Sequence, residues 1–170
     1  MTGRPRVLAV DDRRENLLAL QAILEGLAVE VVSVTSGEDA LKRLLTEDYA
    51  VILLDAHMPG MDGFETAGHI KQRERTRHIP VLFLTAVDYD PHLAFRGYQA
   101  GAVDYITKPF DPWVLRSKVG VFVDLWSVHA RLAEQADECD RLRTAIDDAV
   151  EQLEDGAIDE ARDRLKAARD

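Results

Sequence analysis

Long apolar runs are missing from this chain. No uninterrupted hydrophobic stretch in its 170 residues approaches the ~20 needed to cross a bilayer as a helix. Basic excess is missing too. The formal net charge is −10 and the isoelectric point about 4.9, which argues against a nucleic-acid surface, because neutralising phosphates takes clustered Lys and Arg. No basic stripe and no zinc-ligand spacing is seen. Cysteine is nearly absent: Cys139 stands alone, so no internal disulfide can form. No signal-peptide pattern precedes the first strand-like run, and a soluble, cytoplasmic protein is expected.

Apolar residues, by contrast, are plentiful. A hydrophobic share of 46% supports a true core and speaks against wholesale disorder. The length suits one ordinary domain plus something small. Five short apolar runs punctuate the first two thirds: Arg6–Asp11, Val29–Thr35, Ala50–Asp55, Pro80–Thr85 and Ala102–Ile106. The first, third and fourth are almost continuously hydrophobic, as in parallel strands covered on both faces. The second alternates, with Glu30 and Ser33 breaking the run, as expected nearer an edge.

Helical patterns fill the gaps. Glu15–Leu27 carries a broad leucine and isoleucine stripe at helical spacing. Ser36 and the acidic Glu38 and Asp39 open a second helix with a polar cap. Phe64–Arg75 and Pro91–Ala100 are weaker helices, the latter ending at Gly101. Strands and helices alternating at this spacing predict βαβ units and a doubly wound parallel sheet.

The last third is different. From Pro112 to Glu154 no glycine follows Gly120 and no further proline occurs. Leu125, Leu132, Cys139, Ile146 and Leu153 recur every seventh residue. A second row holds Phe122, His129, Ala136, Arg143 and Val150, and it is compromised by its histidine and arginine. The pattern predicts a long helix able to supercoil with a second chain. A helix folding back on its own domain is the alternative. Asp155 and Gly156 are expected to break it, with a short helix following. The domain reading is therefore residues 1–122, then a helical extension over 123–170.

Ligands of open parallel sheets gather outside the carboxyl ends of the strands. There the chain places Asp11 and Asp12 after the first strand, Asp55 at the end of the third, Thr85 at the end of the fourth, and Lys108-Pro109 after the fifth. Singly, each has a plain structural reading. The Asp11–Asp12 pair could cap a helix, Asp55 could start the turn through Met58-Pro59-Gly60, and Thr85 could reflect strand propensity. Lys108 could be a solvated lysine and Tyr105 ordinary packing. Together on one rim they fit a different chemistry. Three clustered carboxylates repel one another unless a cation intervenes, and Mg²⁺ accepts such oxygen ligands while keeping waters to exchange for phosphate oxygens. A carboxylate there can act as nucleophile toward a phosphoryl group, with Lys108 and Thr85 binding its oxygens.

The stretches "VLAVDDRRENL", "VILLDAHMPGMDGFE", "PVLFLTA" and "GAVDYITKPF" resemble, in order and separation, a response-regulator receiver domain of two-component signalling. The likeness covers residues 6 to about 122. It implies a flavodoxin-like, CheY-like sheet of order 2-1-3-4-5, and a phospho-acceptor rather than an enzyme with a separate substrate. Asp55 would take a phosphoryl group from the phosphohistidine of a histidine kinase or histidine phosphotransfer protein. Asp11, Asp12, Asp55 and the backbone carbonyl of His57 would hold Mg²⁺. Thr85 and Tyr105 would act as the switch pair, and the Lys108–Pro109 bond would be cis. Familiar transcriptional members carry a DNA-binding domain after this point, and the chain has neither the room nor the charge for one. The output is then expected through the C-terminal helices, as dimerisation or partner binding. A constitutive scaffold with an idle pocket, or the front of a longer kinase or phosphatase, are the competing readings. A haloacid-type phosphatase would want a second aspartate where His57 stands. His129 lacks the following glutamate of a kinase phosphohistidine, and reads as a seam or surface residue.

Overall fold

The computed structural model describes residues 4–86, 99 and 101–167. Five strands, β1 (Arg6–Val10), β2 (Glu30–Val34), β3 (Val51–Asp55), β4 (Val81–Ala86) and β5 (Asp104–Lys108), form one sheet. Its order is β2-β1-β3-β4-β5 and all four neighbouring pairs are parallel. Three helices with both ends among the described residues lie between them: α1 (Arg14–Leu24), α2 (Gly37–Arg43) and α3 (Gly63–Gln72). A fourth, α4, runs over Pro112–Ala167. Of the helix expected over Pro91–Ala100 only Gln99, which is helical, is among the described residues; the rest lies outside them.

The sheet has a core on each face. Leu8, Val10, Ile52, Leu54, Val81 and Phe83 point one way, where Ala40 of α2, Leu44 just past its end, and Ala67 and Ile70 of α3 meet them. Val7, Ala9, Val51, Leu53, Leu82 and Leu84 point the other way, against Leu17, Leu20 and Leu24 of α1 and Leu115 and Val119 of α4. Alternate side chains of a strand leave opposite faces, so a strand covered on both must be apolar throughout. Every residue of β3 is buried, including its terminal aspartate. Burying a leucine or isoleucine side chain contributes roughly 2 kcal/mol, so this strand holds its carboxylate on a stiff mount.

Local chemistry sets the helix starts. The Ser36 hydroxyl accepts the Asp39 amide, and the Asp62 carboxylate accepts the Glu65 amide at 2.8 Å. Asp111 accepts the amides of Trp113 and Val114, both at 2.9 Å, and so opens α4. At the far end of α1, which has no basic residue in its last turn, Arg116 of α4 donates to the Ile23 carbonyl at 2.6 Å.

Two expectations need correction. The fifth strand was read over Ala102–Ile106, whereas pairing begins at Asp104 opposite Leu82 and continues to Lys108 opposite Ala86. Its polar end keeps ladder bonds that a hydrophobicity reading assigns to a loop. The helix break expected at Asp155-Gly156 is also not there: α4 continues through Gly156 to Ala167. Glycine costs an exposed helix only about 1 kcal/mol against alanine, and unlike proline it neither removes a donor nor clashes. The chain divides into two units, one ending at Ser127 and the other beginning at Val128.

Candidate functional site

Parallel strands β1, β3 and β5 bring their carboxyl ends to one rim, and the polar residues gather there. Asp11, one residue past β1, is wholly buried, and Asp55 is 5% exposed. Asp12 is exposed beside them. One carboxylate oxygen from each of Asp11, Asp12 and Asp55 lies within 4.8 Å of the others. Into this group reaches Lys108 from the end of β5. Its Nζ stands 2.7 Å from Asp11 Oδ2 and 2.9 Å from Asp55 Oδ2. The Lys108–Pro109 peptide is cis.

The two buried carboxylates are each held by more than one group. Asp11 Oδ1 accepts from the Arg13 amide and from Asn16 Nδ2, both at 2.9 Å, and Asn16 also reaches Asp11 Oδ2 at 3.0 Å. Asp55 Oδ1 accepts the His57 amide at 3.2 Å, while the His57 side chain faces solvent. Burial pushes the Asp55 carboxyl above the ordinary carboxylate range. The hydrogen bond and charge of Lys108 and the His57 amide pull it back, and the Asp11 charge adds to the rise.

Glycine is required beneath this rim. Gly63, the first residue of α3, is buried against the end of β3, and a Cβ there would drive into the Asp55 carbonyl oxygen. The Gly63 amide donates to the Ala56 carbonyl at 3.1 Å. The close approach of α3 therefore fixes the backbone that carries Asp55.

Thr85 and Tyr105 share one face of the sheet, since Thr85 is opposite Thr107 and Phe83 opposite Tyr105 in the β4–β5 register. The Thr85 hydroxyl donates to the Ala86 carbonyl at 3.3 Å. Tyr105 is half-buried against the Phe83 side of the core, with the Lys118 ammonium 5.8 Å from its ring centre. Two contributors escaped the sequence reading, Asn16 and Gly63. Both sit inside the quoted motifs, but an asparagine near a helix start and a glycine after Asp62 look like ordinary helix punctuation.

The donor set fits a hard divalent cation. All the ligand atoms are oxygens, two of the carboxylates are buried, and burial raises the pKa of one of those, Asp55. Among the described residues no helix is long and apolar enough to cross a membrane.

A five-stranded parallel sheet of this order, with an acidic oxygen site and a lysine at its carboxyl rim, defines a flavodoxin-like α/β protein with its candidate site at the strand ends. The chain belongs to the response regulator receiver domain family, which it matches over residues 7–120. It is 40% identical over 114 residues to the response regulator PleD of Caulobacter vibrioides, a match covering 67% of this chain and 25% of that protein. It thus spans about a quarter of that relative's length. Among solved structures it resembles the receiver domain of a signal transduction histidine kinase from Syntrophus aciditrophicus, with TM-score 0.65 and 32% identity over 71% of this chain and 90% of the other. The chemotaxis protein CheY4 of Vibrio cholerae gives TM-score 0.67 and 28% identity over 71% and 99%.

Proposed function

We propose that this chain is a phosphorylation-controlled switch whose acceptor is Asp55. The observation that carries the reading is the Lys108 ammonium set between the buried Asp11 and Asp55 carboxylates. A cation placed there can follow negative charge as it arrives on a phosphoryl group. The donor would be the phosphohistidine of a histidine kinase or phosphotransfer protein. A carboxylate oxygen of Asp55 attacks phosphorus, an O–P bond forms, the P–N bond breaks, and its electron pair leaves on the imidazole nitrogen.

Asp11, Asp12, Asp55 and the His57 carbonyl would hold Mg²⁺. When bound, that ion offsets the charge of the carboxylates and of the phosphoryl oxygens. The rest is done by the chain. The His57 amide orients the Asp55 carboxylate, Asn16 and the Arg13 amide hold Asp11, and Lys108 turns from carboxylate to phosphoryl oxygen. Thr85 would swing from its Ala86 contact toward the phosphoryl group, and Tyr105, on the same face, would follow it inward. This is a population shift between two conformers, driven by contacts that only the phosphorylated state can make.

The output in this reading is the pairing of α4 with a second copy. Residues 131–160 of that helix are exposed, and a formal net charge of −10 disfavours nucleic acid as the partner. A small-molecule phosphodonor in Mg²⁺ is expected to label the protein, and Asp55→Asn to abolish the label. Persistent labelling of that variant at another residue would sink the assignment. Light scattering and hydrogen exchange, with and without beryllofluoride and Mg²⁺, separate switch from scaffold: no change in either favours an idle pocket.

A further inference from the structure

Along α4, Leu132, Leu142, Ile146 and Leu153 are all more than half exposed, and Val128 is 44% exposed. Among the described residues these side chains form an exposed apolar stripe along the helix. The dimer reading above leaves its direction open, and the charges beside the stripe supply it.

The row Leu132, Cys139, Ile146 and Leu153 needs a companion row three or four residues away. Val128, Gln135, Leu142 and Ala149 form a better one than the row through His129 and Arg143. With this choice His129 and Arg143 leave the seam and flank it. The other flank then carries Arg131, Glu138 and Asp159. In a parallel pair each residue of that flank meets the one five positions later on the partner helix. Glu138 then meets Arg143, and Asp159 meets Arg164, each contact made twice by symmetry. No like charges are opposed. Gln135 faces its own copy in the seam, where two amides can hydrogen-bond in register. The intrahelical Glu138–Arg141 pair, at 3.1 Å with both groups exposed, is weak enough to yield or share.

Reversing one helix spoils this. The antiparallel alignment of greatest overlap puts Arg143 beside Arg143 of its copy, against the gain of Arg131 beside Asp159. One heptad step one way sets Glu138 against Asp159; one step the other way leaves no opposite-charge contact.

We infer that α4 pairs with a second copy of this chain as a parallel, in-register coiled coil, with Leu132, Cys139, Ile146 and Leu153 in its seam and Glu138–Arg143 contacts between chains. Cys139 is exposed and is the chain's sole cysteine, so it faces its own copy and reports the direction. In the antiparallel alignment the two thiols stand about 15 Å apart along the axis.

The test uses the full chain with a two-carbon bismaleimide, alongside light scattering. Native Cys139 is expected to cross-link the dimer nearly completely. In a Cys139→Ala background, Leu132→Cys and Leu153→Cys are each expected to cross-link to themselves and not to each other when mixed. Cross-linking only in that mixture would overturn the parallel assignment while leaving the dimer standing. A monomeric mass would overturn the pairing itself, and Asp55 labelling would still judge the switch separately. Arg143→Glu is expected to weaken the dimer about tenfold, from lost attraction at two symmetric contacts. Glu138→Arg with Arg143→Glu restores it in the parallel pair. Failure of that restoration counts against the inference, since antiparallel helices would still oppose like charges at position 143.

Discussion

The Lys108 ammonium lies 2.9 Å from the Asp55 carboxylate, although the two residues come from different strands and neither is adjacent in the sheet. β4 separates β3 from β5, so the lysine reaches over a strand end to its partner. The same Nζ is 2.7 Å from Asp11, itself wholly buried. One cation thus serves two buried anions.

Removing that cation leaves both carboxylates uncompensated. Lys108→Met is expected to cost about 2 kcal/mol of stability in chelator, below the ~3–5 kcal/mol of a fully buried pair because the lysine is partly exposed. Added Mg²⁺ should narrow the gap between variant and native protein. Urea unfolding with and without Mg²⁺ measures both effects.

Asp55 itself is held at a cost. Burial, first of all, raises its carboxyl pKa above the unfolded value. The folded state then binds this proton more tightly, so the group favours folding below the unfolded carboxylate range and loses that contribution as pH rises through its folded pKa. At neutral pH the ionised group works against the fold. Asp55→Asn in chelator is therefore expected to be more stable than native at pH 7, with the advantage fading as pH falls toward 4. Thermal melts across that range test the sign.

Asn16 touches no reacting atom but donates to both oxygens of Asp11. Asn16→Ala should weaken Mg²⁺ binding about tenfold, as expected when a ligand loses its orienting partner. Calorimetric titration with Mg²⁺ reads this directly.

Gly63 gives a backbone counterpart. Gly63→Ala forces a methyl against the Asp55 carbonyl oxygen and the Ala56 backbone. The expected loss is about 1–3 kcal/mol, with α3 displaced from the end of β3. Gly68→Ala, where an added Cβ meets nothing, is the control and should be neutral or mildly stabilising.

Much of this was legible in the sequence, for physical reasons that differ by residue. β1, β3 and β4 announce themselves because both faces are covered, which forces continuous apolar runs. Asp11, Asp55 and Lys108 were legible because a parallel sheet must deliver its strand ends to one rim. β5 was displaced in the reading because Thr107 and Lys108 look like loop residues while keeping their ladder bonds. Gly156 misled because a glycine marks helix ends often but forbids nothing. Asn16 was silent because only the fold shows that its amide points at Asp11.

The most direct measurement is chemical mapping of the acceptor. Phosphodonor-treated protein in Mg²⁺ is reduced with borohydride, which converts an aspartyl phosphate to homoserine, and the peptides are sequenced by mass spectrometry. The expected result is homoserine at position 55 alone, absent without Mg²⁺ and absent from the Asp55→Asn variant. Homoserine at another aspartate, or none at position 55 under saturating donor, would contradict the assignment of Asp55 as the phospho-acceptor.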